Sequence, residues 1–196
     1  MTDDIDDIHA FWFGELDEDG LPDPAQDRLW FTKRAETDRL ITERYARLLE
    51  QAALGKLDEW ATTDRGLIAL IVLLDQFSRN IHRDSPEAFA ADDRALALAL
   101  AAIEAGRDAG LPLIHRVFLY LPLEHTEDLA VQDRCVALFE SLTEENDSAR
   151  VRGFVDYAHA HRDVIAHFGR FPHRNNLLGR ETTEEELAYL KEHGGF

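Results

Sequence analysis

Leu67, Leu70, Ile71, Leu74, Phe77 and Ile81 recur at steps of three and four residues, and Ile68, Ala69 and Val72 fill the opposite side. A stripe at that spacing is the mark of a helix, and apolar residues all round make it a helix that lies inside the molecule. LIALIVLL alone would suit a buried strand, but the helical pattern runs on into DQFSRNI, beyond a typical strand length. A helix of this kind cannot face water, so the rest of the chain has to surround it.

The surrounding segments also read as helices. They run from about Asp3 to Phe13, Ala25 to Ala53, Asp64 to Asn80, Glu87 to Ala105, Pro112 to Pro122, Thr126 to Leu142 and Ser148 to Phe168. A short last helix opens at Thr183, with Glu186 completing a capping box. Gly14, Gly55 and Gly169 stop three of these segments, Pro122 is expected to end a fourth, and Thr126 is expected to cap the one after it. GELDEDGLPDP reads as an exposed loop. The expected fold is all-α, an array of about eight antiparallel helices in a single domain over residues 1–196.

Charge narrows the partners. There are 39 acids against 21 bases, a formal net charge of −18, so nucleic acid and anionic membrane surfaces are poor partners. No apolar run approaches the ~20 residues of a membrane span, and MTDDIDDIHAF lacks a signal-peptide pattern, so a cytoplasmic location is expected. The one cysteine, Cys135, falls on an apolar stripe and reads as a buried, inert thiol. Trp12, Trp30 and Trp60 read as core residues. G-x-S-x-G, Gly-rich phosphate loops, H-E-x-x-H and C-x-x-C are absent, and no cofactor is expected.

Against this acidic background stands HRDVIAHFGRFPHRNNLLGR, His161 to Arg180, with four arginines, three histidines and one acid. Phe154, Tyr157, Ala158, His161, Val164, Ile165 and Phe168 form one helical stripe, which places His161 on the apolar face. Arg162, Arg170, His173, Arg174 and Asn175 supply guanidinium forks and amide donors suited to phosphate or carboxylate. The alternative is that they neutralise the protein's own acids. Two further clusters have the same polar character. Asp75, Gln76, Arg79 and Asn80 end the buried helix, and Glu124 with His125 forms an acid–imidazole pair in the turn LPLEHTED. His159, Asp163 and His167, spaced four apart, share another face and offer a metal-ligand pattern, although one helix rarely supplies a whole metal site.

FWFGEL, LLDQFSRNI, FLYLPLEHTED and HRDVIAHFGRFPHRNNLLGR with TTEEE after it, in this order, resemble the bacterial domain of unknown function 924 family. The resemblance runs over essentially the whole chain. It implies a helical fold similar to the tetratricopeptide-repeat type, a right-handed stack of helix hairpins with a concave face, and implies no reaction. The family usually has Pro where Ser78 stands and an aromatic residue where His82 stands, and Ser78 is expected to loosen the helix there.

The leading expectation is a pocket walled by the three polar clusters. It binds a small anionic molecule through Arg79, Arg170 and Arg174, and is open to catalysis by His125 or His161 with Glu124 or Asp75 as orienter. The runner-up is an interaction scaffold whose groove holds a peptide, and a third reading is a hydrolase with its metal on His159, Asp163 and His167.

Overall fold

The computed structural model describes residues 2–195. Among the described residues there is no β-strand, only an isolated antiparallel bridge between Leu16 and Pro22. The chain divides into two compact units, one holding residues up to Arg83 with Glu87–Pro122, the other Asp84–Pro86 with the chain from Leu123 onward.

Unit one contains α1 (Thr2–Trp12), α2 (Asp27–Phe31), α3 (Ala35–Ala53), α4 (Asp64–Ile71), α5 (Ser78–Ile81), α6 (Asp92–Glu104) and most of α7 (Leu113–Glu124). Its centre is the helix that the apolar stripe predicts. Residues Gly66 to Ile71 of α4 are all buried. Thr63 caps the helix by accepting from the Gly66 N–H at 3.1 Å. A side chain at Gly66 would bring its Cβ within 2.2 Å of the Trp60 carbonyl oxygen, so the tight entry into α4 requires glycine. Phe77 stacks on Tyr45 at 4.6 Å between ring centroids and meets Trp12 edge-on at 5.1 Å.

Between α4 and α5 the rod continues as a π-helix over Val72–Phe77, with wider hydrogen-bonded turns than the α-helix expected there. The loosening expected at Ser78 is not seen, because α-geometry resumes at that residue. Its buried hydroxyl donates to the Ala88 carbonyl at 3.0 Å.

Three expected boundaries shift for local reasons. The long second helix is broken, because the chain turns through extended Thr32 and Arg34 once Trp30 Nε1 is committed to the Trp12 carbonyl at 2.9 Å. The helix expected from Glu87 opens instead on a 3₁₀ turn, Pro86–Phe89, and α6 begins only at Asp92. Pro122 does not end α7, which runs on to Glu124. Proline there costs one helical hydrogen bond in the last turn, and a side chain beyond the helix closes the end. Gln132 Nε2 donates to the carbonyls of Glu124 at 2.6 Å and Thr126 at 2.8 Å.

Unit two contains the end of α7, α8 (Leu129–Leu142), α9 (Ala149–Phe168), a 3₁₀ turn Pro172–Arg174 and α10 (Glu184–His193). The cap of α8 is Asp128 rather than Thr126. Its carboxylate accepts from the N–H groups of Ala130 and Val131. Along one side of α9 the residues Val151, Ala158, His161, Val164 and Ile165 are buried. Cys135, Phe139 and Leu142 are buried on α8, which packs along α9. Gly169 ends α9 in the left-handed conformation, φ 69°, and α10 opens on the expected Thr183–Glu186 capping box.

Candidate functional site

In unit one the polar end of the buried rod is a network of its own. Asp75 is buried inside the π-helix and accepts from Gln76 Nε2 at 2.6 Å. Arg79 lies 3.3 Å from the Asp75 carboxylate and donates in parallel to both oxygens of Asp92 at 2.9 and 3.0 Å. Burial disfavours the guanidinium charge, and the two carboxylates more than restore it, so Arg79 holds its proton more firmly than usual. Asn80 donates to Asp38 at 2.9 Å, and the Arg83 fork holds the same carboxylate.

In unit two the left-handed Gly169 turns the chain into the loop that carries Arg170, Phe171, His173, Arg174 and Asn175. Two carboxylates secure that loop. Glu127 accepts the Phe171 N–H at 2.8 Å and both ends of the Arg180 fork, at 2.7 and 3.0 Å. Burial works against its charge, but Arg180, the Phe171 amide and nearby Arg174 keep the carboxyl below its ordinary range. Glu186, almost fully buried, accepts the Arg170 fork at 2.7 and 2.9 Å. The Arg170 hydrogen bonds, helped by Thr183, overcome burial and hold it at about 2. The loop anchor is Phe171, fully buried, with the buried Arg174 guanidinium 4.5 Å above its ring.

Facing that anchor is a group of three residues. His161 meets Phe171 edge-on at 5.6 Å, and the His125 ring lies 6.2 Å from it. His161 Nδ1 is 2.9 Å from the Tyr157 carbonyl and 3.3 Å from Glu124 Oε1. A carbonyl only accepts, so Nδ1 carries the proton and the basic lone pair is on Nε2. Glu124 and His161 are both buried, and His125 is half-buried. Burial pushes the His161 pKa down to about 3, and the charges of His125, Arg174 and His173 push the same way. The bond to Tyr157 opposes the shift without offsetting it. The imidazole is therefore neutral at neutral pH, even with a carboxylate beside it. Burial also raises the Cys135 thiol, and the Glu124 charge adds to that effect, in keeping with an inert thiol.

Two of the three expected clusters thus meet within unit two, and the third is organised inside unit one. Arg162 stays out of the unit-two group and makes an exposed pair with Asp133. The spaced trio on α9 does not converge. His159 pairs with Glu140 and His167 with Glu185, both on exposed surface, and Asp163 lies beside Arg162. Six residues that the sequence reading passes over prove structural partners: Asp38, Asp92, Glu127, Gln132, Arg180 and, beyond its cap role, Glu186. Glu127 and Arg180 carry a local signal, since they sit in LPLEHTED and at the end of the basic segment.

No described helix is long and apolar enough to cross a membrane. The family described as "Bacterial protein of unknown function (DUF924)" matches residues 8–194. No curated protein matches the chain. Among solved structures, the chain is similar to the protein of unknown function ATU0120 from Agrobacterium tumefaciens, with 37% identity and a TM-score of 0.84. That similarity covers 97% of this chain and 98% of the other.

Proposed function

We propose, on the premise that the chain belongs to the bacterial DUF924 family, that unit two binds a small anionic molecule beside a neutral imidazole that takes up a proton as the anion arrives. The observation that carries this reading is the buried contact of Glu124 with His161 Nδ1 at 3.3 Å, in surroundings that also hold Arg174, His173 and His125. Glu124 fixes the ring from one side. The basic groups make the other surroundings positive, in a protein whose net charge is −18.

The low pKa of His161 makes it a weak base in the free protein. An anion among Arg174, His173 and His125 offsets the charges that depress that pKa, so it raises the imidazole toward the range useful for proton transfer. Binding and protonation are then linked: the anion binds more tightly as the pH falls, because the bound state holds the extra proton.

Sulfate tests this, since its charge does not change over the range. Calorimetry at pH 7.5 and 5.5, in buffers of different ionisation enthalpy, should show proton uptake and at least about tenfold tighter binding at the lower pH, one decade for ~1.4 kcal/mol. His161→Asn should remove the proton uptake while leaving some binding, and Arg174→Lys should weaken binding. If sulfate does not bind, or binds with the same uptake in His161→Asn, the reading fails.

A further inference from the structure

We propose that Glu124, His125 and His161 together hold a divalent transition-metal ion of the zinc class, with coordination positions left open for the anion. The proposal rests on the ligand-site reading and changes one part of it: the His161 lone pair goes to the ion rather than to a proton.

The first support is convergence. One carboxylate oxygen and two imidazole nitrogens from these residues lie within 4.8 Å of one another. Zinc holds such donors at ~2.0–2.2 Å, which puts neighbouring donors roughly 3.3–3.6 Å apart around a tetrahedral ion. Two imidazoles and one carboxylate suit Zn²⁺, Co²⁺, Mn²⁺ or Fe²⁺, and three protein ligands are typical of a site that also accepts water or substrate.

The second support is that the ligands are already oriented. The His161 Nδ1–H is given to the Tyr157 carbonyl at 2.9 Å. A backbone carbonyl on the far nitrogen is the outer contact that metal-bound histidines usually keep, and it leaves the basic lone pair on Nε2. The turn carrying Glu124 and His125 is held from behind by the fully buried Gln132, which donates to the carbonyls on both sides of His125. Neither set of contacts involves a donor atom that the metal needs, apart from the Glu124 oxygen near Nδ1, which swings toward the ion.

The third consideration is the charge around the site. The nearby Arg174 and His173 are the opposing feature, since cations beside a metal ion raise its energy. An anion in the open coordination position offsets that positive charge. Metal and anion should therefore strengthen each other's binding by the same factor.

The test uses the full chain stripped with a chelator and dialysed free of it. Zn²⁺ alone, titrated at pH 7.5, should bind at about one equivalent, and Co²⁺ should give the visible absorption of a nitrogen- and oxygen-ligated ion. Glu124→Gln, His125→Ala and His161→Ala should each weaken Zn²⁺ at least tenfold, the lower end of what outer partners alone contribute. His159→Ala with His167→Ala should leave it unchanged. Circular dichroism establishes that each variant is folded. Because His125 is half-buried, His125→Ala keeps the test decisive if His161→Ala fails to fold. Added sulfate should tighten Zn²⁺.

No binding by the metal-free protein overturns the proposal, as does binding that survives His125→Ala and Glu124→Gln but is lost with His159 and His167. Sulfate binding to the metal-free protein with no Zn²⁺ binding sinks the metal site and leaves the anion site standing. Zn²⁺ binding without sulfate binding does the reverse.

Discussion

Acid should destabilise this protein before most of its carboxylates titrate, because each unit buries a neutral histidine. His115, 6% exposed, lies 4.9 Å from the His9 ring in unit one. Burial first, then the charges of His9 and Arg65, push its pKa down to about 3. His161 is lowered to about 3 in unit two, and His9, whose Nε2 lies 2.9 Å from the Arg65 carbonyl, is lowered as well. In the unfolded chain each titrates near ~6.5. Above that value the folded and unfolded forms hold the same protons and these groups contribute nothing to the pH dependence. Below it the unfolded form gains protons that the folded form refuses, and stability falls by ~1.4 kcal/mol per pH unit and per group until the folded pKa is reached. At pH 5, roughly 1.5 units below the unfolded value, His115 and His161 each cost ~2 kcal/mol, ~4 kcal/mol together, against a typical total of ~5–15 kcal/mol. The depressed carboxylate Glu186 adds its own loss only as pH falls from its ordinary range toward about 2. The interval between pH 6.5 and 5 therefore reports mainly on histidine. Urea unfolding followed by tryptophan fluorescence at pH 7.5 and pH 5 measures the loss. His115→Leu should remove ~2 kcal/mol of that loss, whatever its own effect at pH 7.5. Equal stability at the two pH values, or an undiminished loss in His115→Leu, would refute the reasoning.

Three further outcomes follow from particular contacts. Gly66→Ala places a methyl 2.2 Å from the Trp60 carbonyl oxygen, so urea denaturation should show a loss of at least ~1–3 kcal/mol, where an ordinary Gly→Ala in a helix stabilises. Arg170→Ala leaves buried Glu186 without its fork and should clearly lower the urea midpoint, whereas Arg162→Ala, which loses only an exposed pair, should leave the midpoint close to that of the parent in the same assay. Gln132→Leu removes the donor to two carbonyls in the turn that carries His125. It should cost ~1–3 kcal/mol and weaken sulfate binding in calorimetry, while the surface variant Arg39→Ala changes neither.

The helices are legible because burial has a period. The Leu67–Ile81 stripe, the Gly169 cap and the Thr183–Glu186 box each involve residues at most a few turns apart, so the sequence displays them directly. What it does not display is a change of hydrogen-bond pattern inside an unbroken rod. The π-helix at Val72–Phe77 is apolar enough to pass for more α-helix, and only the carbonyl partners differ. Pro122 misleads for a related reason. Its local effect is to end a helix, and the group that closes the end instead, the Gln132 amide, lies in the next element.

The same distinction separates the two histidine patterns on α9. His159, Asp163 and His167 share a face by spacing alone, and spacing does not say whether that face is buried. In the structure it is a solvated face on which each histidine has found a separate glutamate. His161 carries the extra information, because it interrupts a stripe of apolar residues and so must enter the interior with its polar atoms satisfied. The stripe locates the histidine but not its companions. Glu124 comes from α7, Phe171 and Arg174 from the loop after α9, and Glu127 reaches Arg180 across 53 residues. In a chain with 39 acids, composition makes a partner for every arginine plausible and none specific. The basic segment from His161 to Arg180 is accordingly divided by the fold. Arg162 and His167 pair with acids on exposed surface, and Arg170 and Arg180 secure the loop to Glu186 and Glu127. His161 and Arg174 are left buried around Phe171, beside Glu124 and the half-buried His125.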